Sequence, residues 1–166
     1  MSWSGPEFTR VDIPVLPDRI RYADRILLNG SCFSEHIANK LKRFKYRVVD
    51  NPFGILYNPV SLAESFRRTI NRMYYQADEL IFHDGLYHSV DHHGSFSNPE
   101  ASVALEKIRD QMDQAFQHLQ HCHYIFISPG TSWVYKLKSS GHIVGNCHKI
   151  PQSFFKKSKL EIEDCV

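Results

Sequence analysis

The chain of 166 residues contains no C-x-x-C pair and no glycine-rich phosphate loop, and it has no apolar run approaching the roughly 18 to 20 residues needed to cross a bilayer. Its four cysteines, Cys32, Cys122, Cys147 and Cys165, are widely spaced and do not form a disulfide framework. Net charge is only +2 with histidine neutral, so no global field draws nucleic acid or anionic lipid. No helix-turn-helix or zinc-finger pattern accompanies the basic run "FFKKSK" at 154–159, which reads as a solvated face. Without G-x-G-x-x-G, no nucleotide cofactor is expected, and no other cofactor is called for. The first residues lack the basic tract and apolar core of a secretory signal. The expectation is a soluble cytoplasmic protein that binds neither nucleic acid nor membrane.

What is present fits one folded domain. Hydrophobic residues make up 42 % and charged residues 23 %, a globular balance. Residues 1–20, with Pro6, Pro14 and Pro17, read as an extended arm ahead of a domain over 21–166. "RILLNG" is a short apolar strand turning at Asn29 and Gly30, and Ile37, Ala38, Leu41 and Phe44 follow at helical spacing with Ser34 as the expected cap. "YRVV" at 46–49 returns as a strand, which opens an α/β layer structure. Ser61 and Glu64 form a capping-box pattern for a second helix, and Asp84-Gly85 is a hairpin turn. Asn98 and Pro99 open a third helix. "YIFISPG" at 124–130 is expected to be a central strand, "WVYKLKSSGHIVGN" a hairpin turning at 139–141, and "SKLEIEDCV" the start of a helix. The shortage of central strands and that short terminal helix point to a chain that holds part of a larger domain.

Several residue groups can carry chemistry. Ser31 follows a strand and precedes a helix, where free N–H groups and the helix dipole stabilise negative charge. A nucleophilic serine also needs a base, and the G-x-S-x-G elbow is absent, so strand-Gly-Ser-helix remains compatible with an ordinary turn. Cys32 reads as a small buried side chain behind that turn rather than as the nucleophile. His36 lies about one and a half helical turns from Ser31 and points along the helix flank. His83, His88, Asp91, His92 and His93 are the densest possible metal-ligand set, although their spacing matches no zinc signature and a histidine-lined polar loop is the simpler account. His118 and His121 near a helix end are explained by the dipole alone.

The blocks "NGSCFSEHIANKL" (29–41), "NPFGILYNPVSL" (51–62), "HHGSFS" (92–97), "SPGTSWVY" (128–135) and "VGNCHKIPQSFF" (144–155) resemble the GSCFA domain family of the SGNH-like hydrolase superfamily. The resemblance implies a three-layer α/β/α fold with a parallel central sheet, here the N-terminal part of the domain, and an active site at the C-terminal strand edges. It implies that Ser31 is the nucleophile and that the backbone N–H groups of Ser31 and Gly54 form the oxyanion hole. Ser132 of "GTSW" stands where the superfamily pattern has an asparagine, and Asn146 of "VGNCHK" is the candidate replacement. His93 and His148 are the candidate substrate-binding residues. The superfamily's general base is a histidine in a late Ser-Pro-Val-any-His block, which is expected C-terminal to residue 166. The activity implied is hydrolysis of an ester of a carbohydrate-like or small-molecule substrate. The alternatives are a non-catalytic binding or remnant protein with this fold, and a histidine-cluster metal protein.

Overall fold

The computed structural model describes residues 12, 14 and 18–165. The arm expected over 1–20 therefore lies almost wholly outside the described residues. Three parallel strands form the first sheet: β1 (Arg25–Gly30), β2 (Arg47–Asp50) and β5 (Tyr124–Ser128), in the order β2-β1-β5. The chain leaves β1 into α1 (Cys32–Arg43) and returns on β2, so the strand, helix, strand reading of this region holds. Mixed helices and strands around a parallel sheet make this an α/β protein.

Alternation along β1 decides what each face meets. Ile26 and Leu28 are buried with Ala38, and Ile37 and Leu41 of α1 pack on that cluster. Asn29 points to the opposite face and donates from Nδ2 to Ser65 Oγ, 3.0 Å away, in α2 (Pro59–Ile70). Helices thus approach the sheet from both sides. Beneath α2 and α3 (Ala101–Leu119), Phe53, Leu56, Leu62, Tyr75, Ile108 and Met112 form the largest buried apolar cluster.

The remaining strands are antiparallel. β3 (Leu80–His83) and β4 (Leu86–Ser89) form the expected hairpin, with Asp84 and Gly85 both at positive φ. β6 (Trp133–Leu137) lies between β7 (Ile143–Val144) and β8 (Phe155–Lys159) in a second small sheet. Three expectations need correction. β5 is an edge rather than a central strand of the described sheet, and Ile125, Phe126 and Ile127 on it are exposed. The run "FFKKSK" contributes β8, with Lys156, Lys157 and Lys159 exposed, as the solvated reading expects, and Phe155 buried against Val144 and Val90. The terminal segment forms only the 3-10 turn Ile162–Asp164 instead of a longer helix.

The third correction concerns the helix caps. Asn58, not Ser61, caps α2: its Oδ1 accepts from Ser61 N at 2.8 Å, and Pro59 takes the first helical position. Glu64, expected to close a capping box, instead pairs with Arg67 and Arg68 along the helix. Asn98 turns the chain by accepting from Glu100 N, and α3 starts after Glu100. Ser31, not Ser34, occupies the N-cap of α1.

Gly30 ends β1 at φ +149°, a conformation that side chains rarely adopt, and a Cβ there would stand 2.4 Å from the Ser128 carbonyl oxygen. Gly30→Ala therefore combines backbone strain with a clash against β5 main chain. It is expected to destabilise the protein by about 3 kcal/mol or more in urea unfolding; a loss under about 1 kcal/mol would contradict this packing.

Candidate active site

The Gly30 approach brings the ends of β1 and β5 together. Ser31 N donates to the Ser128 carbonyl at 2.9 Å, and the Ser31 and Ser128 hydroxyls lie 3.3 Å apart. Ser128 Oγ is also 2.6 Å from Ser34 Oγ, so Ser34 faces this serine cluster rather than the backbone of its helix. Ser31 is 9 % exposed, at the C-terminal end of the middle strand. No side chain caps α1, and the amides of Cys32 and Phe33 have no hydrogen-bond partner among the described residues. Cys32 is exposed, contrary to the buried position expected, and His36 faces solvent on the helix flank.

The "NPFG" turn sits directly beside the serine. Gly30 N donates to Asn51 Oδ1 at 2.8 Å, and Asn51 Nδ2 is buried with no partner among the described residues. Asn29 Oδ1, on the other side of the same strand end, is likewise buried without a partner among the described residues. Gly54 has φ +81°, and a Cβ there would fall 2.2 Å from the His93 Cβ. His93 N in turn donates to the Phe53 carbonyl at 2.9 Å, which locks the "HHGSFS" block onto this turn. Gly54 is thus required for close packing against His93. Its N–H is donated to the Asn51 carbonyl at 2.7 Å. The Ser31 and Gly54 amides assigned to the oxyanion hole from the sequence are both hydrogen bonded within the fold.

Two cavities flank the turn. One, of about 450 Å³, lies between the "NPFG" loop and the β6–β7 hairpin, with Tyr57, Thr131, Trp133 and Asn146 in its wall. The other, of about 320 Å³, is lined by Asn51, Gly54, Glu35 and Gln111. Ile55 and His93 border both, and Ser31 lines neither. A Cβ at Gly130 would meet the Ser31 Cβ at 3.3 Å and the Tyr57 ring at 3.0 Å, so the larger cavity begins one residue from the serine turn.

Asn146 N donates to the Val90 carbonyl and its Oδ1 accepts from His148 N at 2.9 Å, which places the amide in the larger cavity without a contact to Ser31. Ser132 is held by its carbonyl, which accepts from Leu160 N. His148 is structural rather than an open ligand group: Nε2 donates to the Ser89 carbonyl at 2.7 Å, and its ring packs 4.6 Å from that of His88. Burial, opposed by that hydrogen bond, lowers its pKa. His93 keeps its place at the cavity rims, with Nδ1 held by Ser95.

The histidine cluster does not converge on a metal site. Among the described residues no group of three or more His, Cys, Asp or Glu is disposed to hold one. The donors are spoken for: His88 uses Nδ1 on Ser97 and Nε2 on the His83 carbonyl. His92 stacks on Phe53 at 4.3 Å, within the main apolar cluster, with Nδ1 on Ser89 Oγ. Asp91 is buried and accepts from the Tyr75 hydroxyl at 2.9 Å and from His142 Nε2 at 2.6 Å. Burial opposes its ionisation, yet His142 and Tyr75 hold the carboxyl below its ordinary range, and Asp91 raises His142 in return. Arg68 lies over the Tyr75 ring and pairs with Glu64 and Glu79. His118, expected to serve the helix dipole, donates from Nε2 to the Ile26 carbonyl of β1.

Sequence reasoning missed Ser128, Asn51, Tyr57 and Gly130 as companions of Ser31. Only their place in the quoted blocks marks them, because the contacts join segments about 20 to 100 positions apart.

An α/β protein with a serine at the C-terminal end of the middle strand of a parallel sheet is the class this geometry defines. Within it, the sequence matches the GSCFA family over residues 25–166, and the chain belongs to that family. No curated protein and no solved structure matches it significantly. Among the described residues no helix is long and apolar enough to cross a membrane.

Burial pushes His92 down to about 3. Between about pH 6.5 and that value the unfolded chain binds a proton the folded chain refuses, so stability falls on acidification. His148 and His118, also lowered, act in the same direction, and the raised His142 opposes them. His92→Phe is expected to reduce the slope of unfolding free energy between about pH 6 and pH 4.5 by about 1.4 kcal/mol per pH unit, measured by urea titration. An unchanged slope would mean His92 titrates normally.

Proposed function

We propose that the protein is a serine esterase or acyl hydrolase of the SGNH-like type, acting on an ester of a carbohydrate-like or small-molecule substrate. The observation that carries the reading is Ser31 at the open N-terminus of α1, at the end of the middle parallel strand and next to the "NPFG" turn that two cavities flank. Open α/β sheets bind ligands outside the carboxyl ends of their strands. Helices on both faces of the parallel sheet support a three-layer arrangement.

Ser31 Oγ would attack the ester carbonyl, the alcohol would leave with a proton, and water would release the acid from the acyl-enzyme. The unpaired amides of Cys32 and Phe33 are the donors available to the oxyanion, replacing the Ser31 and Gly54 amides already bound within the fold. The second reading is a non-catalytic binding protein. It is favoured by one observation: no histidine hydrogen bonds Ser31 among the described residues, whose hydroxyl meets only Ser128. A serine without a base is a poor nucleophile at neutral pH.

Reaction with a fluorophosphonate probe, together with turnover of a p-nitrophenyl ester, separates the two. The esterase reading expects labelling at Ser31 and a fall of at least about a thousandfold in turnover in Ser31→Ala. Full turnover in Ser31→Ala removes the nucleophile assignment, and absent labelling supports the binding protein.

A further inference from the structure

We propose that the cavity of about 450 Å³ beside the serine turn is a saccharide-binding site in which a sugar ring stacks on Trp133. The inference rests on the esterase reading only for what the sugar carries; the binding itself follows from the walls of the cavity.

Trp133 begins β6 and is 48 % exposed, and Tyr57 on the facing loop is 45 % exposed. Tyr57 rests on Gly130 and Trp133 meets the Lys157 ammonium, yet about half of each side chain stays open, and both border the same cavity. The C–H face of a sugar ring gains from such a surface while its hydroxyls stay hydrogen bonded. The polar part of the wall suits hydroxyls that both donate and accept. Asn146 has a free Nδ2 donor among the described residues, because only its Oδ1 is used, on His148 N. Thr131 Oγ1 accepts from Trp133 N at 3.0 Å and keeps its proton to donate. His93 stands at the rim with Nδ1 tied to Ser95 and Nε2 without a partner among the described residues.

Charge narrows the ligand class further. No aspartate or glutamate lines the cavity. Lys157, across the sheet from Tyr135, holds its ammonium 4.7 Å from the centre of the Trp133 ring and 5.9 Å from that of Tyr135. Lys157 pairs directly with Tyr135, so its side chain shares the sheet face that carries Trp133 and Tyr135, and it is not part of the cavity wall. A cationic ligand seeking the ring faces meets an electrostatic site already satisfied and a wall without a counter-charge. Neutral or anionic sugars meet no such opposition. The volume falls in the range of small-molecule sites and holds one or two rings.

The test uses Ser31→Ala protein, so that binding is read without turnover, with N-acetylglucosamine and xylobiose as probes and adenosine as a planar competitor. Saturation-transfer NMR is expected to show both or either saccharide receiving magnetisation at its ring protons. Trp133→Ala is expected to weaken that binding at least about tenfold, and Trp133→Phe to restore most of it. Circular dichroism checks that each variant folds; should Trp133→Ala not fold, Thr131→Val and Asn146→Ala carry the same expectation of weakened binding. Absence of transfer to both saccharides overturns the proposal, as does binding unchanged in every cavity variant, or tighter binding of adenosine than of either sugar. Saccharide binding without fluorophosphonate labelling of the wild-type chain leaves the site standing and removes the esterase. Labelling without saccharide binding does the reverse.

Discussion

The close approach of Gly30 to the Ser128 carbonyl is the constraint on which the site depends. Parallel strands normally keep their neighbours at hydrogen-bonding distance, with side chains directed away. Here the backbone turns at φ +149°, Ser31 N reaches the end of β5, and the serine hydroxyl is delivered beside that of Ser128. The same turn presents Gly30 N to Asn51, which ties the "NPFG" loop to the strand end. Remove the freedom of that one residue and the sheet end, the start of α1 and the loop lose their common anchor.

Around this anchor the histidines serve the frame more than the chemistry. His92 is a flat core side chain between Phe53, Tyr75 and Phe96, kept neutral by burial. Asp91 faces the opposite way in local charge terms: it stays ionised because a tyrosine hydroxyl and His142 replace the water it has lost. Adjacent positions therefore take opposite solutions to burial, one by discarding charge and one by pairing it. Their neighbour His93 closes on Gly54 and forms the ridge between two cavities. A dense run of metal-capable residues thus becomes three separate structural roles once the chain is folded.

The two cavities and the serine belong to different segments that meet only through these contacts. Tyr57 reaches the larger cavity from the loop before α2, Thr131 from the turn after β5, Trp133 from the start of β6, and Asn146 from the turn after β7. The small antiparallel sheet matters to the site for that reason. Burial of Val144, Phe155 and Val90 holds its hairpin against the body of the protein, and the hairpin supplies the wall.

Local chemistry is what the sequence determined. A short apolar run marked β1, helical spacing marked α1, Asp84-Gly85 marked its hairpin turn, and the glycine-serine junction marked the place where strand becomes helix; each depends on residues within a few positions. The ordered blocks also identified the family. Tertiary structure alone decided which strand became an edge, that the exposed Lys156 and Lys157 stand on a paired strand, and that Asn58 rather than Ser61 took the helix cap. It also decided that the Gly54 and Ser31 amides were already committed, while those of Cys32 and Phe33 stayed open. The physical reason is the same in each case: a hydrogen-bonding group is free or used according to which distant segment folds against it, and composition within a window of a few residues carries no record of that partner.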